Sequence, residues 1–304
     1  MASDKTGGVL KLRSAFPSVP PRQIAQEPFD SGVKHLRRLA RLQPGERAEA
    51  ADLWNYTQDL LYSDEIQGSL LTYLLPFCLE AWRDDLTGVQ GGYGGFVEYF
   101  YSALATKHVF DEYLTPGQTM AASQFMRESI LEEIDNQRGL SYSGMGARPY
   151  CWITALTTYG VLLPDVDQLW TPWWSIDTIG RAVAAVQYIS CLLYRENENP
   201  IFAPWTRDEG GGPPWLWEFG GHLYNHRWLE PNVAFLTETL NPRRVEDALG
   251  RAVARLDGLP EHEKAAHVHG DVTLCSETLT VRCAELPRLL ETIQEPGRPL
   301  EWTR

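Results

Sequence analysis

Apolar residues return at three- and four-residue steps through most of this chain, and that spacing commits it to helices that share a core. Glu46 to Tyr62 carries Ala50, Leu53, Tyr56 (or Trp54) and Leu60 on one side. Ser63 then caps an Asp64-Glu65 start, followed by Ile66, Leu70, Leu71, Leu74, Leu75, Leu79 and Trp82, with Pro76 expected to kink or restart that helix. Tyr93 to His108 places Phe96, Tyr99, Phe100 and Ala103 at helical steps. Thr115-Pro116 opens a helix whose stripe is Met120, Met126, Ile130 and Ile134, with Gly139 beyond its end. Ser175 begins another, faced by Ile179, Val183, Val186, Ile189 and Leu193. Asn241-Pro242 supplies a cap and first-turn proline for Val245, Leu249, Val253 and Leu256, closed near Gly258.

The period changes towards the C-terminus. Val268, Val272 and Leu274, then Leu279 and Val281, alternate with polar residues around a Ser276-Glu277 turn, which reads as a β-hairpin over 267–283. Ala284 to Gln294 returns to helix, with Pro287 near its first turn. The expected fold is mainly α: an irregular multi-helix globular domain with a small C-terminal β-hairpin and helix. Residues 1–45 read as an arm rich in proline over 17–28 and a short basic helix built on Leu36, Leu39 and Leu42. Residues 46–258 form the main helical domain, and 259–304 hold the hairpin and last helix, packed upon it.

Charge narrows the partners. The chain carries net charge -13, with nine Lys/Arg against four Asp/Glu in 1–47 and eighteen against thirty-six in 48–304. An acidic body repels nucleic acid and anionic membrane and steers towards a basic protein. No run of about 18 apolar residues offers a membrane span, and Met1 to Gly8 has no apolar signal region. The five cysteines are scattered with no Cys-x-x-Cys pair, so reduced thiols in a cytoplasmic protein are expected.

Candidate chemistry concentrates between Asn199 and Glu230, where Trp205, Trp215, Trp217, Tyr224 and Trp228 stand among four prolines and five glycines. Such a segment is costly to order and borders a cleft or an interface, so these five rings are the candidate binding residues. His222, His226 and Glu230 repeat at four-residue steps, which on one helix would supply two imidazoles and a carboxylate to a metal. Leu223 stands where a zinc protease needs its Glu, and Gly220-Gly221 breaks the helix, so no metal is expected. Asp208, Glu209 and Glu218 lie beside tryptophans, the pairing of carboxylates and ring platforms that a glycoside hydrolase uses.

Weaker patterns fall away. His262, His267, His269 and Asp271 read as a polar row on the hairpin. Gly91 to Gly95 lacks the Lys-Ser/Thr ending of a phosphate loop, and Ser141, Ser143 and Cys151 sit in no nucleophile elbow. With no cofactor fingerprint, none is expected. Two readings stay open. One is a cytosolic acidic binding protein, of inhibitor or immunity type, that neutralises a basic protein. The other is an enzyme with its site in 199–230, either glycoside hydrolase-like or a metal-assisted hydrolase.

Overall fold

The structure, a computed structural model, describes residues 5–29, 32–43, 46–86, 96–142, 148–194, 199–201 and 227–291. Fourteen helices run through the described residues: α1 Lys5–Ser14, α2 Lys34–Leu39, α3 Ala50–Tyr62, α4 Gly68–Leu86, α5 Phe96–Thr106, α6 Val109–Glu112, α7 Pro116–Asp135, α8 Arg148–Leu162, α9 Val166–Trp174, α10 Ile179–Leu193, α11 Glu230–Thr239, α12 Pro242–Arg255, α13 His262–Gly270 and α14 Ser276–Glu291. The chain divides into two compact units, 1–129 and 130–304. Each is built around one helix that is apolar on nearly every side, the pattern of a helix buried all round.

In the first unit that helix is α4, whose residues Leu70, Leu71 and Tyr73 to Leu79 are all buried. Pro76 lies inside it, and the helix continues through the proline rather than restarting. Ser63 closes α3 instead of opening α4, which begins five residues later at Gly68. The arm holds a helix that local pattern does not reveal. α1 is fixed by tertiary contacts, with Leu12 buried and the Arg13 guanidinium 4.5 Å over the Phe77 ring while paired with Glu80. α2 and α5 both pack on α3.

In the second unit α10 is the buried axis, surrounded by α8, α9, α12, α13 and α14. Its two ends are capped by side chains distant in sequence or adjacent to it. Thr178 Oγ1 accepts the Arg181 amide at 3.2 Å and donates to Asp135 Oδ1 at 2.7 Å. Arg282 donates to the carbonyls of Cys191, Leu192 and Tyr194 at 3.1, 2.7 and 2.9 Å, satisfying groups that a helix end leaves open. Gly180 allows α7 to approach: a Cβ there would lie 2.1 Å from the Asp135 carbonyl oxygen. Trp152, Trp170, Trp173 and Tyr188 fill the core with edge-to-face contacts at 4.7 to 5.3 Å.

Three further expectations are corrected. The hairpin over 267–283 is absent, because α13 and α14 occupy that stretch and no strand occurs among the described residues. Ala265, Val268 and Val272, all buried, follow three- and four-residue steps, while Leu274, the residue that completed the alternation, is exposed. α14 also starts eleven residues before Pro287, so that proline is internal. Met120 is exposed and leaves the α7 stripe to Ala122, Met126, Ile130 and Ile134. No single described helix is long and apolar enough to cross a membrane.

Candidate functional site: an exposed aromatic row

α3 is built with two faces that do different work. Leu53, Tyr56 and Leu60 are buried at three- and four-residue steps, which settles the choice between Tyr56 and Trp54 in favour of Tyr56. Two acids are buried beside them. Asp59 accepts the Phe29 amide at 2.7 Å and pairs with His35 Nε2 at 2.5 Å, and Asp52 takes the Arg38 guanidinium through two hydrogen bonds. That hydrogen bond to Asp52, ahead of simple attraction, raises the Arg38 pKa further above its ordinary value. The acids therefore tie α2 and the arm to α3.

A pair of glutamines fixes the arm from the other side. Gln67 Oε1 accepts the amides of Ala25 and Gln26 at 2.7 and 3.2 Å, and Gln67 Nε2 donates to the Gln23 carbonyl at 2.8 Å. In return Gln26 Oε1 accepts the Gln67 amide at 2.9 Å. An otherwise open stretch of backbone is thus satisfied by side chains. The result is that Phe29 is delivered to the outer face of α3.

There it joins a continuous row of rings. Phe29 lies 4.6 Å from Tyr62, Tyr62 lies 6.1 Å from Tyr99 on α5, and Tyr99 lies 6.1 Å from Trp54. Phe29, Trp54 and Tyr62 remain 56%, 38% and 47% exposed. Partial burial, with the hydroxyl of Tyr99 as a further cause, raises the Tyr62 phenol above its ordinary pKa. Isolated exposed rings are ordinary, but a contiguous set marks an interaction surface. Trp54 and Tyr62 were detectable in principle, since they stand eight residues apart and off the Leu53 stripe; Phe29 and Tyr99 come from other elements.

The sequence candidates fall elsewhere. Trp205, Trp215, Trp217, Tyr224, Asp208, Glu209, Glu218, His222 and His226 lie outside the described residues, as do Gly91 to Gly95 and Ser143. Trp228 is buried, its ring against Gly160 of α8 and its amide donating to the Leu290 carbonyl at 2.9 Å. Glu230 begins α11 after a non-helical stretch at 227–229, so one helix does not carry His226 and Glu230 together. His267 and His269 sit on α13, where residues two apart point to different sides, and His267 faces Asp271 at 3.5 Å. Ser141 accepts a hydrogen bond from Lys264, and Cys151 lies on α8. Among the described residues no three His, Cys, Asp or Glu are placed to hold a metal ion. A cavity of about 40 Å³ beside Arg13, Tyr73 and Phe77 has room for about one water.

No family model matches the chain, no curated protein matches it, and no solved structure matches it.

Proposed function

We propose that this protein is an acidic binding protein that neutralises a basic protein partner, as an inhibitor or an immunity-type protein does. One observation supports the reading: four aromatic rings in unbroken contact line one face of the first unit, in a chain of net charge -13. Trp and Tyr at the centre of an interface supply most of the binding energy when a partner desolvates them. The acidic charge acts earlier, by speeding encounter with a basic surface.

The two roles separate in a kinetic experiment. The tagged protein, immobilised after capture of its partner from source cells has identified it, should bind that partner faster at low salt and more slowly as ionic strength rises. Trp54→Ser should raise the dissociation rate about tenfold, about 1.4 kcal/mol, with the association rate nearly unchanged. A captured partner that binds equally fast at both salt levels and tolerates Trp54→Ser overturns the proposal.

A further inference from the structure

α2 is held to its unit by one side only. His35, Leu36 and Leu39 are buried, while Lys34, Arg37, Arg38 and Arg41 are exposed. The four cations recur at three- and four-residue steps, so they share the opposite side of the turn. Ala40 and Arg41 continue that turn past the helix end, their amides donating to the Leu36 and Arg38 carbonyls at 2.9 and 3.0 Å. The helical rise then sets all four within about 10 Å along the axis. The backbone beneath them is fixed, because His35 pairs with Asp59 and Arg38 with Asp52.

This cluster works against the helix that carries it. Like charges three and four residues apart destabilise a helix, and Lys34 stands in the first turn, where the dipole favours an acid and α2 has none. The cations are not spent on the protein itself either. Elsewhere in the first unit Arg13 is held by Glu80 and Arg47 by Asp84, and on α2 Arg38 is held by Asp52. The side chains of Lys34, Arg37 and Arg41 make no hydrogen bond or ion pair among the described residues. Three open cations on one fixed face, in a chain with forty Asp/Glu, leave that face to an anion from outside.

We infer that this face docks a short acidic segment of a partner protein, whose carboxylates meet Arg37, Arg41 and Lys34. A guanidinium receives a carboxylate through paired N–H donors, which gives the contact direction as well as charge. Length decides among the anions. A nucleic acid or an anionic membrane extends beyond a face of about 10 Å and meets the field of residues 48–304, where thirty-six Asp/Glu stand against eighteen Lys/Arg. A segment of a few residues ends on the face. A second copy of the chain brings net charge -13 towards -13. The surface is separate in chemistry from the aromatic row, and its function does not depend on the row's partner.

Fluorescence anisotropy on the full chain tests this with labelled hexa-aspartate at about 0.1 M salt, where the screening length of about 10 Å matches the length of the face. Hexa-aspartate should bind and a neutral Gly-Ser hexapeptide should not, and 1 M salt should abolish the signal. Arg37→Gln with Arg41→Gln should weaken binding about tenfold, the scale of two exposed ion pairs. Arg243→Gln with Arg255→Gln removes the same charge from exposed positions on α12 and should change affinity less than twofold. Trp54→Ser should leave hexa-aspartate binding unchanged, so the result stands or falls apart from the aromatic row. Equal loss in the two double variants makes the effect one of net charge and overturns the inference, as does no binding at all. A single-stranded oligonucleotide of equal charge that binds more tightly through Arg37 and Arg41 gives the face to nucleic acid and overturns it too. Self-association that Arg37→Gln with Arg41→Gln abolishes gives it to a second copy, with the same consequence.

Discussion

Gly160→Ala should destabilise the second unit through a single residue, Trp228. A Cβ on Gly160 would sit 2.3 Å from two atoms of the Trp228 indole and 2.6 Å from a third, far inside van der Waals contact. The ring cannot retreat easily, because the backbone is pinned on both sides of it. The Trp228 amide donates to the Leu290 carbonyl at 2.9 Å and the Leu229 amide to the Gly160 carbonyl at 3.1 Å. Overpacking of this kind costs about 1–3 kcal/mol when the ring shifts, and about 3–5 kcal/mol if it leaves its site altogether. Removing the ring reverses the sign. On a Trp228→Leu background the new methyl has room, and Ala in the last turn of α8 should be favoured over Gly by up to about 0.5–1 kcal/mol. Denaturant unfolding followed by circular dichroism gives both differences from the midpoints at constant slope. If Gly160→Ala costs the same in both backgrounds, the contact with Trp228 is not what selects glycine, and the reasoning fails.

Asn232 should be equally intolerant: its amide donates to the Gly160 and Leu163 carbonyls at 2.8 and 2.6 Å and accepts the Val166 amide at 3.1 Å. Asn232→Ala should cost about 2–4 kcal/mol by leaving buried backbone groups unsatisfied, and Asn232→Asp should be no better, since it faces two carbonyls with an acceptor; thermal melts check both. Burial pushes the Cys191 thiol up to about 12 and the Cys283 thiol up to about 11 from an ordinary 9.0. Both therefore stay protonated in the folded state at pH values where the unfolded chain ionises. Their contribution is fully present below about pH 9 and is lost as pH rises towards 12, so Cys191→Ala should flatten the alkaline fall in melting temperature.

How much of this was legible follows from where each signal resides. The Asn241 cap, the Pro116 start and the α10 stripe are local, and the structure keeps all three. α8 is apolar on most sides, so no stripe stands out; α9 has a stripe in Val166, Leu169, Trp170 and Trp173, but it is only nine residues long and holds Pro172, which reads as a helix breaker. The hairpin expectation rests on Val268 and Val272, whose spacing fits both periods; the burial of Ala265 and the exposure of Leu274 separate them. Arg282 is a polar residue inside α14 whose partners lie about ninety positions away, beyond any local pattern. The aromatic row is half legible for the same reason: α3 supplies two rings, while the arm and α5 supply the others.

The contrast between the two units is what gives that row its meaning. Both are rich in aromatic residues, and in the second unit Trp152, Trp170, Trp173 and Tyr188 are all sealed into the core around α10. The first unit shows the same use of rings in Tyr56, Tyr73 and Trp82, which are buried, so it does not lack places to hide them. Phe29, Trp54 and Tyr62 stand outside that core although α3 already has its apolar stripe. Packing does not require them there, and two buried acids and a glutamine pair hold the elements that carry them. Fixing rings on rigid backbone before a partner arrives lowers the ordering cost of binding, which is the advantage of a preorganised interface. A surface that served only solubility would gain from Ser or Lys at 54 and 62, and would leave the arm free.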